Sequence, residues 1–252
     1  MIKPYPKKSL GQNYLTDPNI CRKIVSSFNI KPHDIILEIG PGRGEITKYI
    51  ADLTENVIAV ELDKSNCEIL EKILPHVRVI NTDFLRFDIK EYAAIHKLRV
   101  IGNIPYNITS EIIFKLIDNR EYITDAQLMV QSEVAERLTA DPGTKQYGIT
   151  TVQLGALAEV KLLFKVSRNC FYPPPRVDSS VIYIDFTKSR EHRIRDISMF
   201  RNIVKAAFSS RRKTLRNTLK NFIKDNIPDI DFARRAESLS VNEFIELSNK
   251  IS

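Results

Sequence analysis

The stretch GNIPYN, Gly102 to Asn107, sets an amide, a proline and an aromatic ring side by side. The Asn103 side-chain oxygen and the Ile104 carbonyl are two hydrogen-bond acceptors on adjacent residues. Such a pair suits an amine conjugated to a ring. The lone pair of that amine is delocalised, and acceptors on both N–H groups help the nitrogen become tetrahedral and free it. Pro105 stiffens the turn that presents the carbonyl, and Tyr106 can stack on the ring. Chemistry of this kind runs on positioning and on acceptor dipoles, with no ionised base. Taken alone, the same residues also read as a plain strand-ending turn.

Three other chain positions tell the two readings apart. EIGPGRGEIT, residues 38–47, carries Gly40, Gly42 and Gly44, which allow a tight turn and a close approach of ligand to backbone. A dinucleotide fingerprint, GxGxxG, wants Gly or Ala at position 45, where this chain has Glu45. Glu61 follows Gly40 by 21 residues, where a carboxylate can accept both hydroxyls of a ribose. Asp83, in NTDFL, can accept from an adenine amino group. Each alone is also a cap or a turn former; on three successive strand ends they describe an adenosine site. GNIPYN, at the fourth strand end, selects S-adenosylmethionine, whose electrophilic methyl would face it. The acceptor is then the N6 amine of an adenine that has left its stack, at a cost of about a few kcal/mol. A neutral Asn avoids an ion-pair trap beside the sulfonium, and an aromatic face favours that cation. Phe171, at the head of FYPPPR, is the candidate second aromatic.

These residues need a sheet to position them. Apolar runs at 35–40, 57–62, 77–81, 98–103 and 126–131 alternate with helix-period segments near 44–53, 63–74, 88–96 and 109–118. Strands apolar along their whole length, separated by helices, predict a parallel sheet covered on both faces. After the helical stretches SEVAERLTA and YGITTVQLGALA come two late strands, 160–167 and 179–186, which predict an antiparallel pair at one edge. FYPPPR between them reads as a rigid extended loop. Asp17-Pro18 is a helix start. From about Thr187 the chain turns polar, then helical. We therefore expect a catalytic domain with a basic N-terminal arm over 1–187 and a small all-helical domain over 188–252. In the latter, Ser209 and Ser210 cap a break between helices, and 242–251 forms the last helix.

The 252-residue chain carries a net charge of +7 and a pI near 9.2, which favours a polyanionic partner. Lys3, Lys7 and Lys8 precede the first acid, Asp17, and residues 199–220 hold seven basic residues and no acid. Lys7, Lys8, Arg211, Arg212, Lys213 and Arg216 are the candidate nucleic-acid contacts. No apolar run approaches the roughly 18 residues of a membrane span, and no secretory signal is visible. Cys21, Cys67 and Cys170 form no CxxC pair and read as free thiols of a reducing cytoplasm. No His/Cys cluster suggests a metal, and no dimerisation stripe is visible, which leaves a monomer as the default.

KKSLGQNYL, EIGPGRG, VELD, TDF, GNIPYN, MVQSEVAERL, FYPPPRVDSSV and AFSSRRKTLRNTLK follow one another in an order that resembles the small-subunit ribosomal RNA adenine dimethyltransferases, the KsgA-type family. Tyr14 stands where that family more often has Phe. The resemblance implies a class I methyltransferase fold with seven strands, the last pair a hairpin, and a small helical C-terminal domain. It implies cofactor contacts at Asn13, Leu15, Gly40, Glu61, Asp83 and Asn103, and a target-adenine pocket at Asn103, Ile104, Pro105, Tyr106 and Phe171. Asn13 and Leu15 rest on resemblance alone. The implied reaction is dimethylation of two neighbouring adenines in a hairpin loop near the 3′ end of small-subunit rRNA, during subunit maturation. Loop bases, unlike those of an A-form helix, can be splayed out for such chemistry.

Other readings remain open at this point. A related family methylates large-subunit rRNA and confers macrolide resistance; Ile104 leans toward it, whereas SRRKTLRNTLK and RAESLSVNEF resemble the small-subunit family. An assembly factor with a relic fold would not need the glycine loop, Glu61, Asp83 and Asn103. DNA adenine methyltransferases commonly carry a DPPY-like motif and a sequence-reading domain. Here Asn replaces Asp, and a small basic helical domain suits phosphate contact more than base readout.

Overall fold

The computed structural model describes residues 6–7, 10–93, 96–223 and 230–251. In chain order its strands are β1 (Tyr14–Leu15), β2 (Ile36–Ile39), β3 (Val57–Glu61), β4 (Arg78–Asn81), β5 (Leu98–Asn103), β6 (Ile123–Gln131), β7 (Glu159–Val166), β8 (Phe171–Tyr172) and β9 (Ser179–Asp185). Its helices are α1 (Pro18–Phe28), α2 (Thr47–Ala51), α3 (Lys64–Ile73), α4 (Thr109–Asp118), α5 (Ser132–Leu138), α6 (Ile149–Leu157), α7 (Ile197–Ala207), α8 (Leu215–Thr218) and α9 (Val241–Ile251).

Seven strands form one sheet in the order β4-β3-β2-β5-β6-β9-β7, with parallel pairing from β4 to β6 and an antiparallel β6-β9-β7 edge. Every residue of β2 and β3 is buried, which explains their unbroken apolar character. The register fixes the chemistry. Ile39 lies opposite both Val60 and Gly102, and Glu61 lies opposite Asn81. The carboxyl ends of β2, β3, β4 and β5 therefore open on one edge. The chain winds outward from β2 to β4 and then returns to β5 on the other side of β2. That reversal is a topological switch point, where such sheets bind ligands. Gly102 makes the β2–β5 pairing possible, because a Cβ there would stand 2.7 Å from the Ile39 carbonyl oxygen.

Opposite this edge, the Arg99 guanidinium donates to Asp125 (2.9 and 2.8 Å), to Asp34 (2.7 Å) and to the Phe28 carbonyl. Two carboxylates around one partly buried cation satisfy its fork of donors and pin the start of β5.

Local signals account for the element ends. The Asp17 side chain accepts from the Asn19 and Ile20 amides, Pro18 opens α1, and Asn29 closes it at φ 51°. Ser240 and Glu243 cap α9 reciprocally. The helix expected near 88–96 is instead a single 3-10 turn, Lys90–Tyr92, with 94–95 outside the described residues. Lys115 donates to the Leu85 and Phe87 carbonyls, and Phe87 and Tyr92 pack ring against ring, so that stretch lies as irregular chain.

The chain divides into two compact units, 1–135 with 162–184, and 136–161 with 185–252. The second therefore takes in α6 as well as the C-terminal segment expected from 188. Within it the rings of Tyr147, Phe208 and Phe244 pack in sequence. The break after α7 falls where expected, but Thr214, rather than Ser209 or Ser210, stands at the cap of α8, which has only four residues. No helix among the described residues is long and apolar enough to cross a membrane.

Candidate active site

The first unit holds a cavity lined by the glycine loop, the ends of β3, β4 and β5, and the N-terminal segment 10–15. Gly40 and Gly42 adopt φ +64° and +59°, the left-handed region that favours glycine. A Cβ on Gly42 would also lie 3.1 Å from the Tyr14 ring, which seals the outer side of the loop beneath the Arg43 guanidinium, 4.1 Å from the ring centre.

Glu61 is 7% exposed. Its Oε2 accepts the Gly42 amide (3.0 Å) and its Oε1 the Asp63 amide (2.7 Å). The Asn66 side chain bonds the same carboxylate, and the acceptor capacity that is left faces the cavity Glu61 lines, where it can accept a hydroxyl. Burial pushes the carboxyl upward, against the two amides and the Asn66 side chain that stabilise its charge. Asp83 lines the cavity while one of its oxygens accepts the Leu85 amide at 2.9 Å.

At the end of β5 the amide of Asn103 is oriented by its neighbours. Its Nδ2 donates to the Asn13 carbonyl at 3.1 Å, which leaves Oδ1 as the accepting end. The Ile104 side chain is buried, and Pro105 holds φ −59°, ψ 131°. The Tyr106 hydroxyl shares a 2.6 Å hydrogen bond with Ser179 Oγ, so the ring is held at its far end as well as by the backbone. Asn13, Leu15, Gly40, Gly42, Glu61, Asp83, Asn103, Ile104, Pro105 and Tyr106 all line this one cavity.

Phe171 does not line it. It lies on β8 opposite Leu15, 4% exposed, within the core cluster behind β1. Strand alternation turns Tyr172 outward instead. Lys7 is ion-paired to Asp63, and Lys8 lies outside the described residues. In the second unit the Arg211 guanidinium donates to the Lys145 and Tyr147 carbonyls, whereas Arg212, Lys213 and Arg216 are exposed.

Two further residues shape the cavity. Glu38 sits in the middle of β2 at 1% exposure, and its Oε2 is without a hydrogen-bond partner. Burial, with the nearby Glu45 and Glu61 charges, pushes its carboxyl up to about 8. The signal was the acid itself, set in an otherwise apolar run. Tyr14, whose hydroxyl donates to Gln12 at 2.8 Å, carried no signal beyond its type. Among the described residues no group of three or more His, Cys, Asp or Glu is placed to hold a metal ion.

A model of the family described as ribosomal RNA adenine dimethylase matches residues 5–252. The ribosomal RNA small subunit methyltransferase A of Chlorobium phaeobacteroides (strain BS1) is 48% identical over 246 residues, covering 97% of this chain and 93% of that protein. The crystal structure of a dimethyladenosine transferase from Plasmodium falciparum superposes with TM-score 0.79 at 28% identity, covering 94% of this chain and 98% of that one. The structure of the 23S rRNA methyltransferase ErmE superposes with TM-score 0.78 at 23% identity, covering 95% and 99%. At that identity it shows the shared fold alone.

Proposed function

Because the chain belongs to the ribosomal RNA adenine dimethylase family, we propose that it dimethylates the N6 amines of two adjacent adenosines in small-subunit rRNA. The target is the hairpin loop near the 3′ end, the cofactor is S-adenosylmethionine, and the setting is subunit maturation in the cytoplasm, by a monomer. The observation that carries this reading is the Asn103 amide, whose nitrogen is committed to the Asn13 carbonyl.

The cavity suits the cofactor. Gly40 and Gly42 let it approach the backbone, Glu61 offers its remaining acceptor capacity to the ribose, and Asp83 offers an acceptor to the adenine amino group. Asn13 and Leu15 close the outer side. When bound, the cofactor supplies an electrophilic methyl.

The rest of the chemistry belongs to the chain. Asn103 Oδ1 accepts one N–H of the target amine and the Ile104 carbonyl accepts the other. The nitrogen lone pair is thereby turned toward the methyl. The amine so held would take the methyl the cofactor supplies, the bonding pair remaining with the sulfur, and the surplus proton would pass from the nitrogen to solvent. Tyr106 stacks on the base and, tied to Ser179, keeps the amine in line. Phe171 would join the stack only after leaving the core behind β1. Pro105 limits the motion of the turn.

Arg212, Lys213 and Arg216, exposed in the helical C-terminal domain over 188–252, supply phosphate contacts. The 48% identity to a small-subunit enzyme supports this target over the large-subunit one.

The test offers purified protein and labelled S-adenosylmethionine to small subunits that lack the modification and, separately, to unmodified large-subunit RNA. Dimethyladenosine at two adjacent small-subunit positions is the expected product. Label on the large subunit alone would make it the resistance-type enzyme. Tight small-subunit binding without label would make it an assembly factor.

A further inference from the structure

The N-terminal arm reads from its sequence as a basic strand for RNA, yet Lys7 spends its charge elsewhere. Its Nζ donates to Asp63 Oδ1 at 2.7 Å, and Gln12 Nε2 donates to Asp63 Oδ2 at 2.9 Å. Both oxygens of one carboxylate are thus taken by the same short stretch of chain. Gln12 completes the knot, since its Oε1 accepts the Lys7 amide and the Tyr14 hydroxyl, each at 2.8 Å.

We propose that Asp63 is a positioning residue that, by holding Lys7 and Gln12, latches residues 10–12 against the cofactor cavity, and that this latch sets how long the cofactor stays.

Several observations carry the proposal. Residues 10–15 line the cavity, whereas Asp63 does not, so Asp63 acts through the segment it holds. The far end of that segment is fixed independently: Tyr14 and Leu15 pair with β8, and the Asn13 carbonyl accepts from Asn103. Releasing Asp63 therefore frees a flap without unmaking the wall behind it. The Asp63 side chain is 4% exposed and that of Lys7 48% exposed. A buried carboxylate is costly without a partner, whereas the lysine can swing into water. Burial alone would raise the Asp63 carboxyl, but hydrogen bonds from Lys7, Ser65 and Gln12 hold it down at about 2. The latch also abuts the ribose carboxylate, because the Asp63 amide donates to Glu61 Oε1.

The proposal rests on the cofactor reading of the cavity, and its test separates the two. Lys7→Met and Asp63→Asn are compared with the wild type by calorimetric binding of S-adenosylhomocysteine and by stopped-flow dissociation. Methyl transfer is measured at varied cofactor, and RNA binding at varied salt. Both variants should release the cofactor roughly three- to tenfold faster, the effect of one lost charge-assisted hydrogen bond at a half-exposed site. KM for cofactor should rise in step with kcat unchanged. The double variant should be no worse than either single one, as expected for two halves of one contact. RNA affinity and its salt slope should not move.

If Lys7→Met leaves cofactor release unchanged and lowers the salt slope by about one, Lys7 is a phosphate contact and the latch is wrong. If neither release nor slope changes, the ion pair carries no energy and the latch is again wrong. Asp63 also caps α3, so a folding defect in Asp63→Asn would leave Lys7→Met as the deciding variant. A wild type that binds the cofactor but methylates neither subunit would overturn the proposed function while the latch is still read by binding.

Discussion

The cofactor cavity and the basic segment 199–220 use polar groups in opposite ways. In the cavity the side chains that would meet cofactor and substrate are each tied to a partner. Glu61 takes two backbone amides, Asn103 a backbone carbonyl, and Tyr106 a serine hydroxyl. In the basic segment Arg212, Lys213 and Arg216 stand exposed. A site that must place one amine within tenths of an ångström of one methyl fixes its acceptors through the backbone. A surface that must attract a polyanion needs charge in the right region and little else. The cavity should therefore fail sharply and locally when altered, and the segment gradually and in proportion to charge.

The sharpest break in that contrast is expected from Asn103→Ala. It removes one of the two acceptors for the target amine and leaves the Asn13 carbonyl without its donor. Loss of a single preorganised dipole at a reacting centre typically costs about 10²- to 10³-fold in kcat. Single-turnover methylation should fall by that much while RNA affinity stays within about twofold. Catalysis close to wild type in this variant would remove Asn103 from the mechanism.

A second break uses pH. Glu38 is held up near 8 by burial, with the Glu45 and Glu61 charges adding to the shift. For a group whose folded value exceeds its unfolded one, the stabilisation is complete below the unfolded value, near 4.5, and is lost as pH rises through about 8. That loss is of order several kcal/mol, at about 1.4 kcal/mol per unit. Thermal melts between pH 5 and 9 should show wild-type stability declining across this window and Glu38→Gln declining much less. A residual slope is expected, since burial also raises Glu45 and Glu61. Parallel curves for the two proteins would mean that Glu38 is not the group responsible.

The same contrast explains what could be read before the fold was known. β2, β3, β5, β6 and β9 were legible because strands buried along nearly their whole length write apolar runs, and the more exposed edge strands β4 and β7 because each still carries a short apolar run. The glycine loop, Glu61, Asp83 and Asn103 were legible because parallel strands deliver their ends to one edge in order. β1 and β8 were not, since two-residue strands carry no period. The direction of the Asn103 amide depends on a carbonyl ninety residues away, and the partner of Lys7 lies fifty-six residues on. Such pairings are written in the sheet order, which no local window contains. Phe171 shows the converse. Its motif implied the target pocket, but strand alternation sends it inward opposite Leu15 and turns its neighbour Tyr172 outward.

The smallest effect sharpens the other side of the comparison. Replacing Arg212, Lys213 and Arg216 together by Gln should weaken RNA binding and flatten its dependence on salt. Each lost phosphate contact on a single strand changes the slope of log K against log salt by about 0.7, so the three together should change it by roughly two. Cofactor affinity and kcat at saturating RNA should be unaffected. Arg211 belongs to a different test despite its place in the run. Its guanidinium is occupied by the Lys145 and Tyr147 carbonyls, so Arg211→Gln should lower the melting temperature more than it lowers the slope. If Arg211→Gln instead behaves like its neighbours, charge count alone governs the segment. If the triple variant leaves the slope unchanged, the run lies off the RNA path.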